Sequence, residues 1–264
     1  MKERVISGII LVVLALAFVF VGGNMLLAVM CALSLRGMFE LYRVFSIHLK
    51  CVGMVGYVFC VLYYVNLGFF ENQFFIPIAI LFLTALLAFY VFTFPTFHAD
   101  QILVTYFAFF YVAVMLSYLY RARMMDHGIY IVWLIFLCSW ISDTCAYFVG
   151  VMFGKHKMAP LLSPKKSVEG AIGGIMGSVL LTALYGYLIR NAMAISGREI
   201  LLLGLFAGIG AFISMIGDLA ASAIKRNYDV KDYGRLIPGH GGVLDRFDSV
   251  IITAPIIFYL GGLL

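Results

Sequence analysis

The chain alternates long, uninterrupted apolar runs with short polar breaks. The runs fall at about residues 5–22, 24–42, 51–69, 74–94, 102–120, 129–153, 168–190, 199–221 and 248–264. A helix needs about 20 apolar residues to cross a bilayer, and each run has that length. The breaks carry helix breakers: Gly22-Gly23, Pro95, Gly128 and Ser196-Gly197. The second run is interrupted by Arg36 and Glu40, which are spaced to share a helix face and pair. No strand-like alternation of polar and apolar positions occurs, which argues against an outer-membrane barrel. No internal repeat or low-complexity segment is present.

Composition agrees with this pattern. Of 264 residues, 64% are hydrophobic and 12% charged, against about 45–50% and 25% in an ordinary soluble domain. The mean hydropathy is +1.06. So few charges cannot cover a soluble fold of this size. Soluble, disordered and secreted classes are excluded, and the predicted fold class is all-α: a polytopic integral membrane protein of about nine transmembrane helices. Cys31, Cys51, Cys60, Cys138 and Cys145 lie in or beside apolar runs without a CxxC pair. They read as small buried hydrophobes, not a disulfide framework or metal cluster. Met1-Lys2-Glu3-Arg4 before an apolar run imitates a signal peptide, but Val21-Gly22-Gly23-Asn24 is no small-x-small cleavage site. An uncleaved first span is expected.

The charge distribution predicts orientation. With nine spans and the N-terminus inside, thirteen Lys and Arg fall on inner segments. Only Arg121, Arg123, Arg190 and Arg198 fall on outer ones, a positive-inside bias. Loops 154–167 and 222–247 are then cytoplasmic, and the C-terminus faces out. Residues 1–120 (spans one to five) read as a transmembrane scaffold. Residues 121–264 (spans six to nine and both loops) read as the catalytic region. The expected location is the cytoplasmic membrane, with the active site near its cytoplasmic face. The net charge of +5 reflects topology and lipid headgroups, and no nucleic-acid partner is expected.

Acids are scarce, and their placement carries the chemistry. Eight of the 13 lie between residues 143 and 248: Asp143, Glu169, Glu199, Asp218, Asp229, Asp232, Asp245 and Asp248. Asp143 and Asp218 stand inside apolar runs, where a carboxylate costs about 2.5–3.5 kcal/mol on insertion scales and needs a partner or a wet cavity. A structural ion pair would satisfy one such residue. Two, with Asp245 and Asp248 at the mouth of the last span, point to a shared cation site. Ser214, Asp218, Ser222 and Lys225 recur at helical spacing on one face, as do Asp143 and Tyr147. Gly170, Gly174, Gly177, Gly204 and Gly208 allow close helix packing.

Residues 222–248 are the most informative stretch. Five Lys or Arg, four Asp and four Gly share 27 positions. A basic anchor for headgroups leaves the acids and glycines unexplained. Carboxylates suit Mg²⁺, which takes one or two of them together with substrate phosphates. The Gly239-His240-Gly241-Gly242 turn can present backbone N–H groups to an anion.

This stretch resembles the signature of the phosphatidate cytidylyltransferase (CDP-diacylglycerol synthase) family: S-x-hydrophobic-K-R, four residues, K-D-x-small, then P-x-H-G-G-x-x-D-R-x-D. Ser222, Lys225, Arg226, Lys231, Asp232, Gly234, Pro238, His240, Gly241, Gly242, Asp245, Arg246 and Asp248 meet every fixed position. A second segment is similar to the same family: Asp143-Thr144-Cys145-Ala146-Tyr147, Gly150, Phe153-Gly154-Lys155 and Ser163-Pro164-Lys165-Lys166-Ser167-Val168-Glu169-Gly170. The resemblance covers about residues 140–248; residues 1–120 match only as apolar spans.

The resemblance implies CTP and phosphatidic acid as substrates, CDP-diacylglycerol and pyrophosphate as products, Mg²⁺ with room for a second cation, and a homodimer in the lipid bilayer. It suits the residues, because two anionic substrates need cations and Lys/Arg clamps to approach each other. Asp218 and Asp245 are the first choice for cation ligands, Asp143 and Asp248 the second. Lys225, Arg226, Lys231 and Arg246 are candidates for triphosphate or lipid phosphate. Ser222, Asp232, Gly241 and Gly242 complete the candidate substrate site. Lys166 joins them, because Ser163-Pro164 has the form of a helix N-cap and first turn, which favours anions nearby. The cluster from Lys155 to Lys166 also suits topology and headgroups. A phosphate monoester has its second pKa near about 6, so no general base is required. His240 is expected to support the loop or bond a phosphate.

Two other readings stay open at this stage. A CTP-using polyprenol or phytol kinase belongs to a family similar in part. A secondary transporter would also carry intramembrane Asp residues and glycine-interrupted spans, but the acids here crowd into one half of a chain without a repeat. The D-x-x-D-G-x-x-A-R pattern of CDP-alcohol phosphatidyltransferases is absent.

Overall fold

A computed structural model describes residues 2–236 and 241–263, leaving out the side chains of residues 2–7 and 9–11. Gly239 and His240 of the expected anion turn, with Ile237 and Pro238 before them, lie outside the described residues. The described chain is helical almost throughout: α1 (Lys2–Val21), α2 (Gly23–Val44), α3 (Cys51–Phe69), α4 (Phe75–Thr93), α5 (Ala99–Met124), α6 (Gly128–Phe153), α7 (Val168–Met193), α8 (Gly197–Asn227) and α9 (Leu244–Gly261). Among the described residues, the seven helices α2 to α8 are long and apolar enough to cross a membrane. The chain is a polytopic α-helical membrane protein. α1 and α9 coincide with the first and last predicted spans but stand outside those seven. Leu244-Asp245-Arg246-Phe247-Asp248 puts three charges into the opening of α9.

The boundaries differ from the expectation in three places. α8 runs to Asn227, so Ser222, Lys225 and Arg226 are helical and do not begin a loop. Lys225 and Arg226 in the last turn complement the negative end of the helix dipole there. The stretch 154–167 is not irregular: β1 (Lys157–Ala159) pairs antiparallel with β2 (Ser163–Ser167), Lys157 opposite Ser167 and Ala159 opposite Ser163. Ser163-Pro164 is therefore strand, and the helix N-cap falls at Ser167, whose Oγ accepts the Gly170 N–H at 3.1 Å. Lys166 still directly precedes a helix N-terminus. Third, α5 and α6 each contain a π-helical segment, Phe109–Val114 and Leu137–Ile141. Such insertions have no sequence periodicity to announce them, and they re-aim the side chains that follow. The second one immediately precedes Asp143.

The chain divides into two compact units. The first comprises residues 1–120 and 230–246. Here α2 packs on α3 and α5, and α3 on α4. Helices in lipid gain little from hydrophobic burial against each other and rely on packing and polar links. Tyr42 Oη donates to the Thr105 carbonyl at 3.1 Å. The Ser34 and Tyr64 hydroxyls meet at 2.8 Å, and those of Tyr63 and Ser117 at 2.6 Å. Phe82 stacks against Phe59 and meets Phe109 edge-on, with centroids 4.7 and 4.9 Å away. α4 otherwise buries only Leu86, as suits a lipid-facing helix.

The second unit comprises residues 121–229 and 247–264. α7 packs against both α6 and α8. Small residues set these approaches. A Cβ on Gly174 would lie 2.9 Å from the Ser142 carbonyl oxygen and 3.0 Å from Ala146 Cβ. One on Gly217 would lie 2.9 Å from Ile252 Cγ1 and 3.0 Å from the Asp248 carbonyl oxygen. The latter contact draws α8, next to Asp218, onto the backbone of α9 at Asp248. Ser178 Oγ donates to the Leu137 carbonyl at 3.1 Å, within the π segment.

Overpacking a close crossing costs about 1–3 kcal/mol. Gly174→Leu is expected to lower the thermal midpoint in detergent by several degrees. Gly197→Leu, where the added side chain meets open space, should leave it within about a degree. Equal midpoints for the two variants would contradict the packing role of Gly174.

Candidate functional site

The second unit gathers charge from four elements. Lys166, at the end of β2, forms an ion pair through Nζ with Asp218 Oδ2 on α8; both side chains are about three-quarters buried. Asp248 on α9 is 6% exposed and lies within electrostatic reach of Asp218, Lys225 and Asp143. Asp143 on α6 accepts a long hydrogen bond of 3.4 Å from Ser249 Oγ. Asp248 Oδ1 accepts the Ser249 N–H at 2.8 Å. Three carboxylates and two ammonium groups, far apart in sequence, therefore occupy one neighbourhood. The hairpin is fixed to this neighbourhood at both ends. Arg226 Nε donates to the Leu162 carbonyl at 3.4 Å. Glu169 accepts the N–H groups of Lys155 and His156 and meets His156 Nδ1 at 2.6 Å.

The donor chemistry suits a hard cation. Every acid here offers carboxylate oxygen, the ligand that Mg²⁺ prefers. Ser142 Oγ, beside Asp143, and Ser214 Oγ, one helical turn before Asp218, are buried without a hydrogen-bond partner among the described residues. Buried hydroxyls are rarely left so without a water or ligand to satisfy them. Among the described residues no three His, Cys, Asp or Glu side chains already stand as a ready-made metal cage. Mg²⁺ needs none, since it keeps waters and substrate oxygens around one or two carboxylates.

The first unit holds the described signature residues from Lys231 to Arg246. Asp245 is 6% exposed, and its Oδ2 accepts the N–H groups of Tyr233 at 2.8 Å, Gly242 at 2.9 Å and Gly234 at 3.4 Å. It closes the two ends of the loop onto one carboxylate. Gly241 has φ +85°, and a Cβ there would lie 2.8 Å from Asp245 Oδ2, so both backbone and space require glycine. A carboxylate has about four lone-pair sites, so one Asp245 side chain can take several loop amides at once and clamp them together. Lys231 and Asp232 are exposed on the loop, and Arg246 is half-buried.

Sequence reasoning missed part of this arrangement. Arg36 and Glu40 do pair, at 3.1 Å, but Glu40 also accepts the Leu244 N–H at 2.9 Å. Arg43 Nη2 donates to the Tyr233 carbonyl at 2.5 Å. The signal was visible: a glutamate inside an apolar helix demands more than one partner. Ser249 gave no signal, because a serine in an apolar helix is unremarkable.

The sequence profile of the cytidylyltransferase family matches residues 2–264 of this chain. A phosphatidate cytidylyltransferase of Bacillus subtilis (strain 168) is 32% identical over 98% of this chain and 97% of its own length. One from Thermotoga maritima is 37% identical over 62% of this chain and 57% of its own length. One from Staphylococcus aureus (strain COL) is 39% identical over 56% and 54% respectively.

Ser167 caps α7 and fixes Lys166 beside it. Ser167→Ala should destabilise the fold by about 0.5–2 kcal/mol and speed amide exchange at Gly170 by about tenfold. Unchanged exchange at Gly170 would show that the cap does not hold the start of α7.

Proposed function

This chain belongs to the cytidylyltransferase family, and on that premise we propose that it transfers CMP from CTP to phosphatidic acid. A phosphate oxygen of the lipid attacks the α-phosphorus of CTP. The bond to the bridging oxygen of the β-phosphate breaks, pyrophosphate leaves, and CDP-diacylglycerol stays in the membrane. The observation that carries the reading is the gathering of Asp143 and Asp218, on helices apolar enough to cross a membrane, with Asp248, Lys225 and the hairpin's Lys166. A lipid substrate explains why such costly charges belong in a membrane protein at all.

In this reading Asp218, Asp143, Asp248 and Asp245 are the candidate ligands of Mg²⁺, which when bound supplies charge neutralisation for the phosphates. Lys166 and Lys225 meet the phosphates as point charges. Asp218 holds the Lys166 ammonium in place before substrate arrives. Arg226, Lys231 and Arg246 supply further positive charge, and the glycines of the loop let phosphate approach the backbone. No residue is needed as base, since the second pKa of a phosphate monoester lies near about 6. The reading places the site at the cytoplasmic face, on the distribution of Lys and Arg. It also includes a homodimer, resting on the resemblance alone.

Purified protein with phosphatidic acid should incorporate label from α-labelled CTP into lipid and release label from γ-labelled CTP as pyrophosphate. Asp218→Asn and Lys166→Met should each lower turnover by about 100-fold or more, with detergent melting unchanged, and a chelator should abolish wild-type turnover. Transfer of the γ-label to lipid would mean a kinase. Near-normal, chelator-insensitive turnover by Asp218→Asn would overturn the cation assignment.

A further inference from the structure

Among the described residues of the first unit, Glu40 is the most deeply buried charge, with no exposed surface. It lies on α2, more than 180 residues from the signature it touches. Its Oε1 accepts Arg36 Nε at 3.1 Å. Its Oε2 accepts the N–H of Leu244, the first residue of α9, at 2.9 Å. The first N–H groups of a helix have no partner within the helix, and a carboxylate is their best acceptor. Glu40 is thus a cap delivered from a distant helix.

The same carboxylate fills the space beside two signature glycines. A Cβ on Gly234 or on Gly242 would run into Glu40. Asp245 grips the same stretch of loop through Tyr233 and Gly242. Arg43, on the same face of α2 as Glu40, binds the Tyr233 carbonyl. The loop is therefore held between two carboxylates, each of which meets both glycines. An ion pair with Arg36 would satisfy a merely structural glutamate. It does not account for the bond to Leu244 or for the absence of side chains at residues 234 and 242.

We propose that Glu40 is a positioning residue for the cytidylyltransferase loop: it sets the start of α9 and the places of residues 233–234 and 241–244, and so the aim of Asp245. The inference rests on the function proposed above, and its test separates the two. Misplacing a catalytic group by about 1 Å can cost about 100-fold in rate.

Glu40→Gln keeps the size but offers one acceptor where two are used. It should melt within a few degrees of wild type in detergent and lower kcat by about 10- to 100-fold, with KM for phosphatidic acid changed less than about threefold. Amide exchange at Gly242 and Leu244 should rise about tenfold or more, while exchange in α3 and α4 stays unchanged. Gly242→Ala, which pushes a methyl group against Glu40, should show the same paired loss, and the two changes should be non-additive. In wild type the Leu244 amide should already be protected. A folded Glu40→Gln with wild-type turnover and exchange would overturn the proposal, as would Leu244 exchanging in wild type like an open loop amide. Wild type lacking CDP-diacylglycerol formation would sink the function but leave the exchange measurements to judge Glu40.

Discussion

A carboxylate surrounded by hydrocarbon must be met by a donor or a cation, and this requirement organises the molecule. The bilayer offers no water to replace a missing partner. Each acid in the apolar part of the chain has therefore drawn other elements toward it. Glu40 takes Arg36 and the first amide of α9. Asp218 takes Lys166 from the hairpin. Asp143 takes Ser249. Asp245 takes the amides of a loop that otherwise has little regular structure.

The demand for partners also explains the glycines. A lysine or backbone amide reaches a buried carboxylate only if helices and loop come close, and close approach excludes a Cβ. Gly217 brings α8 onto the backbone at Asp248, and Gly234 and Gly242 make room for Glu40. Small residues and acids are two halves of one arrangement, which is why both concentrate in the signature stretch.

Much of this was legible in the sequence. Each of the nine apolar runs falls on a helix among the described residues, and seven of those helices are long and apolar enough to cross a membrane, because hydropathy and length are nearly the whole constraint on a spanning segment. Asp143 and Asp218 announced themselves as expensive residues inside such runs. Less legible was anything set by contacts between distant segments. The hairpin around Lys166 depends on pairing between Lys157 and Ser167, and no local pattern separates it from a polar loop. The continuation of α8 to Asn227 was hidden because Lys225 and Arg226 look like loop residues once the apolar run ends. Glu40 was read with its neighbour Arg36 only, since helical spacing shows partners on the same helix and not those 204 positions away.

The central claim is that the acids of the second unit serve a divalent cation and not only each other. The most direct measurement is Mn²⁺ binding to the purified protein in detergent, followed through the paramagnetic resonance signal of the free aqua ion. Wild type should deplete that signal, and Asp143→Asn, Asp218→Asn and Asp248→Asn should each bind more weakly. Equal depletion by wild type and all three variants would contradict the account and leave those carboxylates as structural ion pairs.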